Sequence, residues 1–388
     1  MLYDLLGRLR ERRLGPTSLG ILLFYAAAYG TAYEGLWRLV TTGSPVLLGA
    51  GLVGRSVASV VTPAVVGWVE DRHPHLERVV LILSALALVV AAVPAATHHA
   101  GILVATIVPL VATAAMAQSS PRALSVDPRL SVAIGWLIDG GKLVGALTIP
   151  LLVLFPHWHV VVVGALALSA VTLLSRPRPV ATHENGDERP ADADPRADWP
   201  TPTWVTLMAV LSLPSLSGFS YDLGLTWSAP SSALGLGVWV AAGAVGALLG
   251  TLALLGARDG RLRAGRVGWA DLLFYLAPIA LAVPSWPVRL VALVATGFGA
   301  AYFYQLMRAL VWRTAPARHR GRIWAAQSIA TALAGVVGQL ALVAVLAHTD
   351  LATVRWVAPI AGSLLCAPAI LLVRRHLRRA GPVPVLTD

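Results

Sequence analysis

Apolar runs of about 20 residues recur along this chain, each closed by a short polar segment rich in arginine. A helix rising 1.5 Å per residue needs about 20 residues to cross a hydrocarbon layer about 30 Å thick. Spans of that kind read at 16–39, 44–68, 79–97, 100–118, 131–155, 159–175, 203–226, 230–255, 267–284, 288–311, 323–347 and 355–373. Twelve spans predict an all-α polytopic membrane protein. Composition agrees: 57% of residues are hydrophobic and 13% charged, whereas soluble chains carry about a quarter charged residues. An ordinary cytosolic enzyme, a disordered chain and a disulfide scaffold are excluded. Cys366 is the single cysteine, so no internal disulfide and no multi-thiolate metal site can form.

The net charge of +11 would point a soluble chain towards nucleic acid. Here the arginines sit between apolar spans, so the charge concerns topology and the partner is a lipid bilayer. With an inside N-terminus, the clusters at Arg8–Arg13, Arg72–Arg78, Arg122–Arg129, Arg176–Arg196, Arg258–Arg266, Arg313–Arg322 and Arg374–Arg379 all face the cytoplasm. Arg38, Arg289 and Arg355 fall outside, and Arg55, Lys142 and Arg308 fall within spans. A miscounted span would invert every later loop, so this regularity predicts twelve spans, both termini cytoplasmic and a multi-pass protein of the inner (plasma) membrane. The arginines of the first 15 residues precede a full-length span without a small-residue cleavage pattern, so no cleavable signal is expected.

Residues 176–202 are rich in Asp, Glu and Pro and have little to bury, which predicts a flexible acidic cytoplasmic linker. It divides a six-helix bundle at 1–175 from a second at 203–388 that ends in a basic tail. A faint repeat fits this division: Tyr33-Glu34 ends the first span and Tyr221-Asp222 occupies the matching place in the seventh.

Three features together resemble the major facilitator superfamily of secondary transporters. They are the six-plus-six layout with a charged central loop, the segment Gly67-Trp68-Val69-Glu70-Asp71-Arg72, and the stretch from Gly297-Phe298-Gly299 through Gln305 and Arg308 to Arg320-Gly321-Arg322. The second is similar to the family's Gly-x-x-x-Asp-Arg signature, with Pro74 and His75 where a glycine and a basic residue are usual. The third is similar to bacterial drug- and siderophore-exporting members. The Gly-Pro-x-x-Gly-Gly motif of many exporters is not intact; Gly140, Gly141, Gly145 and Pro150 are its loosest echo. The resemblance implies two pseudo-symmetric six-helix bundles and a cytoplasmic gate at Gly67, Asp71 and Arg72. An acid there can accept N–H groups at the positive end of a helix.

Ionisable groups inside spans are the strongest pointers to function, because each costs about 2.5–3.5 kcal/mol at a helix centre on insertion scales. They are Glu34, Arg55, Asp139, Lys142, Asp222 and Arg308. In the resembling fold, all of them stand on spans that line the central cavity. Asp139 and Lys142, three residues apart, share a helical face and can form an ion pair. Tyr25, Tyr29 and Tyr33 form one stripe on the first span, joined as candidate substrate contacts by Tyr221, Tyr304 and Gln305. Aromatic walls with scattered polar tips suit an amphipathic or ring-bearing molecule.

The histidine pairs His98–His99 and His157–His159 have no evident third ligand, so no metal is expected, and no cofactor motif is present. No G-x-x-x-x-G-K-[ST] phosphate loop appears, which excludes an ATP motor of that kind. The expected function is export of a small amphipathic organic molecule by alternating access, coupled to protons carried by Glu34, Asp139 or Asp222, in a monomer without enzyme activity. A proton-coupled importer of a small metabolite is the alternative within the class. A polytopic enzyme acting on lipid-linked substrates is the alternative outside it.

Overall fold

The computed structural model describes residues 15–41, 45–72, 77–92, 99–119, 128–174, 232–255, 261–262, 283–314, 320–349 and 383–384, with isolated positions between 273 and 281 and between 360 and 375. The span at 203–226, with Tyr221 and Asp222, lies outside the described residues, as do the linker at 176–202 and most of the spans at 267–284 and 355–373. The helices are α1 (Gly15–Thr41), α2 (Pro45–Arg72), α3 (Glu77–Ala92), α4 (His99–Ser119), α5 (Pro128–Leu154), α6 (Pro156–Leu174), α7 (Ala233–Leu255), α8 (Trp286–Thr314) and α9 (Arg320–His348). A two-residue antiparallel pairing of Arg261–Leu262 with Val383–Pro384 is the only strand structure among the described residues.

These helices are apolar on the outside as well as within. On α3, Leu81 and Leu88 are buried while Leu83, Leu86 and Val90 are more than half exposed. The same holds for Ile149 against Leu147 and Leu151 on α5, and for Leu293 against Val291 on α8. A helix that is hydrophobic all round belongs in a large core or a bilayer, and exposed apolar surface on this scale fits contact with lipid. By length and composition, Ile134–Leu151, Leu234–Leu254 and Trp286–Tyr304 can each cross a membrane. Val79–Ala91, Gly101–Thr113, Val160–Leu173 and Ile329–Gly338 are shorter apolar segments. At 27 and 28 residues, α1 and α2 have the length but carry Glu34, Arg38, Arg55 and several hydroxyl residues, which lowers their hydropathy.

Helix α1 is the centre of the N-terminal group. Its Ile21, Phe24, Tyr25, Ala27 and Ala28 pack with Leu81 and Leu88 of α3, Ala112 of α4, Ile134 and Leu137 of α5, and Val163 and Ala170 of α6. In the C-terminal group α7 lies against α8, close enough that a Cβ at Gly246 or Gly250 would collide with the Val294 or Phe298 carbonyl. Two seams join the groups, α5 against α7 and α2 against α9. The first is antiparallel: Ala146 and Pro150 meet Gly237, while Asp139, earlier on α5, meets Thr251, later on α7. Tyr33, Leu36, Leu52, Ala146, Ile149, Leu236 and Val240 form one buried cluster spanning that seam.

Candidate functional site

Helices α1, α5 and α7 converge on Asp139, near the middle of the 27-residue α5. The approach of α1 depends on two glycines that follow Asp139. A Cβ at Gly141 would stand 2.6 Å from the Tyr25 Cβ, and one at Gly145 would stand 2.8 Å from the Ala26 carbonyl oxygen. Without side chains at those positions α1 lies directly on α5, and the Tyr29 ring comes beneath Lys142, whose Nζ is 5.3 Å from the ring centroid. An ammonium over an aromatic face is attracted by the ring quadrupole, the more so away from water.

Asp139 is 5% exposed. Its Oδ1 accepts a hydrogen bond from Lys142 Nζ at 2.9 Å, the spacing of three residues placing both groups on one face. Its Oδ2 accepts from Thr251 Oγ1 at 3.5 Å, and Thr251 is fully buried. The carboxylate is therefore shared between a lysine of its own helix and a threonine from the C-terminal group. Lys142 keeps 31% of its side chain exposed while its Nζ is paired with Asp139.

The three candidate tyrosines of α1 do not play one role. Tyr25, Tyr29 and Tyr33 stack in a ladder with 6.0 Å between successive centroids, but Tyr25 and Tyr33 are buried within two apolar clusters. Tyr29 is the one set beneath the ammonium. In the residue after Tyr33, the fully buried Glu34 forms an ion pair with Arg38, so Glu34 belongs to a second polar centre on the same helix. Arg55 is buried in α2, at 8% exposure. Gly67, Asp71 and Arg72 occupy the last turns of α2, and Gln305 and Arg308 lie in α8; their side chains are outside the described residues. Tyr304 on α8 is 43% exposed and packs edge-on against the buried Phe303.

Two residues of these centres escape a reading of spans. Arg38 is four residues after Glu34, the spacing at which an acid and a following base pair on a helix, so the sequence does carry a signal for it. Thr251 is the lone hydroxyl in α7, an otherwise apolar helix, and sequence offers no sign of what it faces. A cavity of about 600 Å³ opens between α7 and α8, lined by Val238, Val245, Val291, Val294 and Phe298 among others. Its described lining is apolar and offers nothing to hold a charged ligand. Among the described residues no group of three His, Cys, Asp or Glu side chains is placed to hold a metal.

No family model matches the sequence, and no curated protein matches it. Solved structures do. The crystal structure of the nucleoside transporter NupG superposes with a TM-score of 0.63 over 92% of this chain and 98% of its own, at 16% identity. The human organic anion transporter MFSD10 (TETRAN) superposes with a TM-score of 0.60 over 95% of this chain and 99% of its own, also at 16% identity. The chain has the major facilitator transporter fold. The contact between Asp139 and Thr251 links α5 to α7 across the seam between the two helix groups.

Proposed function

We propose that this chain is a secondary transporter that moves a small amphipathic organic molecule by alternating access between six-helix halves at 1–175 and 203–388, with residues 176–202 as a cytoplasmic linker. The observation that carries the reading is the Lys142–Asp139–Thr251 arrangement. A buried carboxylate costs too much to keep at mid-membrane for packing alone, and this one lies at the seam between α5 and α7. The substrate site is the space reached by the exposed part of Lys142 beside the Tyr29 ring, which suits an anionic, ring-bearing molecule. The two structural neighbours are named for nucleosides and organic anions, and the cation at this site favours the second class.

The coupling ion is the proton and its carrier is Asp139. Proton and substrate act on the same ion pair, as neutralising Asp139 frees Lys142 for an anion and binding an anion to Lys142 loosens its hold on Asp139. The direction is export, as the similarity of the Gly297–Arg322 stretch to drug and siderophore exporters favours, with both termini in the cytoplasm.

Flux of radiolabelled aromatic carboxylates and nucleosides into proteoliposomes, with and without an imposed pH gradient, tests this reading. Gradient-dependent accumulation of an organic anion is the expected result. Uptake of neither class above that of protein-free liposomes, gradient or not, would overturn it and return the membrane-enzyme alternative to the front.

A further inference from the structure

The apolar cavity between α7 and α8 has a polar group at one end only. Its described walls are Val238 and Val245 of α7 and Leu290, Val291, Val294 and Phe298 of α8, with a few others. It is open at the side, since Val291 is 69% exposed. From Leu290 to Phe298 it descends about 12 Å at about 1.5 Å per residue, which keeps it within one leaflet of a hydrocarbon layer about 30 Å thick. Arg289 directly precedes Leu290, in the turn of α8 that begins with Trp286. Its Nε donates to the Val283 carbonyl at 2.6 Å, and its guanidinium carbon lies 5.9 Å from the ring centroid of the fully buried Trp239. Trp286 is exposed and packs on Trp239, with centroids 5.3 Å apart. A tryptophan and an arginine at the start of an apolar helix mark the level of lipid headgroups.

We propose that this groove binds one anionic phospholipid, with an acyl chain laid between α7 and α8 and the phosphate held by Arg289. Charge selects the occupant. Neither α7 nor α8 carries an acidic residue, so the two helices offer a headgroup phosphate a cation and offer a headgroup ammonium no counterpart. A net-negative lipid such as phosphatidylglycerol is therefore favoured over zwitterionic phosphatidylethanolamine. The guanidinium is planar and carries five N–H donors, and its terminal nitrogens match a phosphate in geometry while Nε keeps the Val283 carbonyl. That carbonyl and the Trp239 ring fix the side chain before a lipid arrives, so less conformational freedom is lost on binding. The floor of the groove is closed. A Cβ at Gly246 or Gly250 would collide with the Val294 or Phe298 carbonyl, so α7 and α8 touch backbone to backbone and an acyl chain rests on the seam without passing through it. The inference requires that α7 and α8 lie in a bilayer and does not require that the chain transports.

Phosphatidylglycerol carrying a diazirine on one acyl chain tests this on the full chain in a neutral detergent, with mass spectrometry reading the labelled peptides. Labelling is expected within 238–245 and 290–298, well above that at 147–151 of α5, where Leu147 and Leu151 are equally open to lipid. Unlabelled phosphatidylglycerol should compete for the groove about tenfold better than phosphatidylethanolamine, and Arg289→Gln should abolish that preference. Ala295→Phe fills the groove and keeps the arginine; it should remove the groove label and leave the α5 label unchanged. Groove labelling no stronger than that of α5, equal competition by the two lipids, or a groove label that survives Ala295→Phe would each overturn the proposal. A preference undiminished in Arg289→Gln would do the same. If Arg289→Gln fails to fold, the competition in the unaltered protein and the Ala295→Phe label decide. A dimer in native mass spectrometry whose formation excludes the label would assign the groove to a second copy of the chain and overturn the lipid assignment. None of these readings involves flux, so the transport reading stands or falls separately.

Discussion

Lys142→Ala should lower the yield of folded protein several-fold and reduce its thermal stability in detergent, because the substitution leaves Asp139 buried without its cation. Removing one partner of a buried ion pair costs about 3–5 kcal/mol, and the lower end applies here since Lys142 is partly exposed. The companion variant decides what the pair is for. Lys142→Ala combined with Asp139→Ala removes the stranded charge, and the double variant should recover yield and stability with an interaction energy of about 1–3 kcal/mol between the two sites. It should nevertheless fail to transport. A pair that exists only to neutralise itself would regain transport with its stability. A pair that handles substrate and proton would not.

Arg38→Ala should destabilise the fold almost as strongly as Lys142→Ala. Glu34 is fully buried on α1, at a position where the helix is enclosed by its neighbours, and Arg38 supplies its ion-pair partner from the following turn. The space around this centre is tight: a Cβ on the adjacent Gly35 would stand 2.7 Å from the Thr106 hydroxyl of α4. Little room remains for Glu34 to move towards water, so loss of Arg38 is expected to cost about 3 kcal/mol and to appear as a depressed Tm of the purified protein. Glu34→Gln should recover part of that loss when combined with Arg38→Ala, since an amide needs no counter-charge. Unlike the Asp139 centre, which draws Thr251 from across the seam, this ion pair lies on one helix. The Arg38→Ala/Glu34→Gln protein should therefore retain transport in proportion to the amount that folds.

The described helices were legible because hydropathy and helix length are properties of single segments. The first span, read at 16–39, corresponds to Gly15–Thr41, and the span at 100–118 to His99–Ser119. Differences arise where local chemistry cuts across hydropathy. The apolar run at 79–97 is described as helix over Glu77–Ala92, and its last residues lie outside the described residues. The helices at the 131–155 and 159–175 spans are longer and closer together than hydropathy suggests. Only Phe155 separates α5 from α6, and Pro156 starts the second helix at the position where a missing N–H costs nothing. Helix α8 runs to Thr314 and α9 starts at Arg320, because polar residues continue a helix beyond the apolar stretch that reveals it.

The candidate site was legible in part for the same reason. Asp139 with Lys142 is a relation within one helix, and periodicity alone placed the two side chains on one face. The contact of Thr251 with Asp139 links residues 112 positions apart and depends on how α5 and α7 register against each other. That register is set by packing of Gly237 against Ala146 and Pro150, and nothing in either segment alone encodes it. The tyrosine stripe shows the converse limit. Spacing put Tyr25, Tyr29 and Tyr33 in line, but whether each meets ligand or core depends on neighbours from other helices, and Tyr29 is the one that lies under the Lys142 ammonium.

The most direct test of the account is the effect of Asp139→Asn on coupling. The amide keeps the size of the carboxyl group and its contact with Thr251 but cannot exchange a proton. The measurement is flux of whichever organic anion the unaltered protein accumulates in proteoliposomes, recorded once with a pH gradient and once as exchange between equal concentrations on the two sides. Asp139→Asn is predicted to retain exchange and to lose gradient-driven accumulation, because substrate still moves while the proton carrier is gone. Gradient-driven accumulation undiminished in the Asp139→Asn protein would contradict the account.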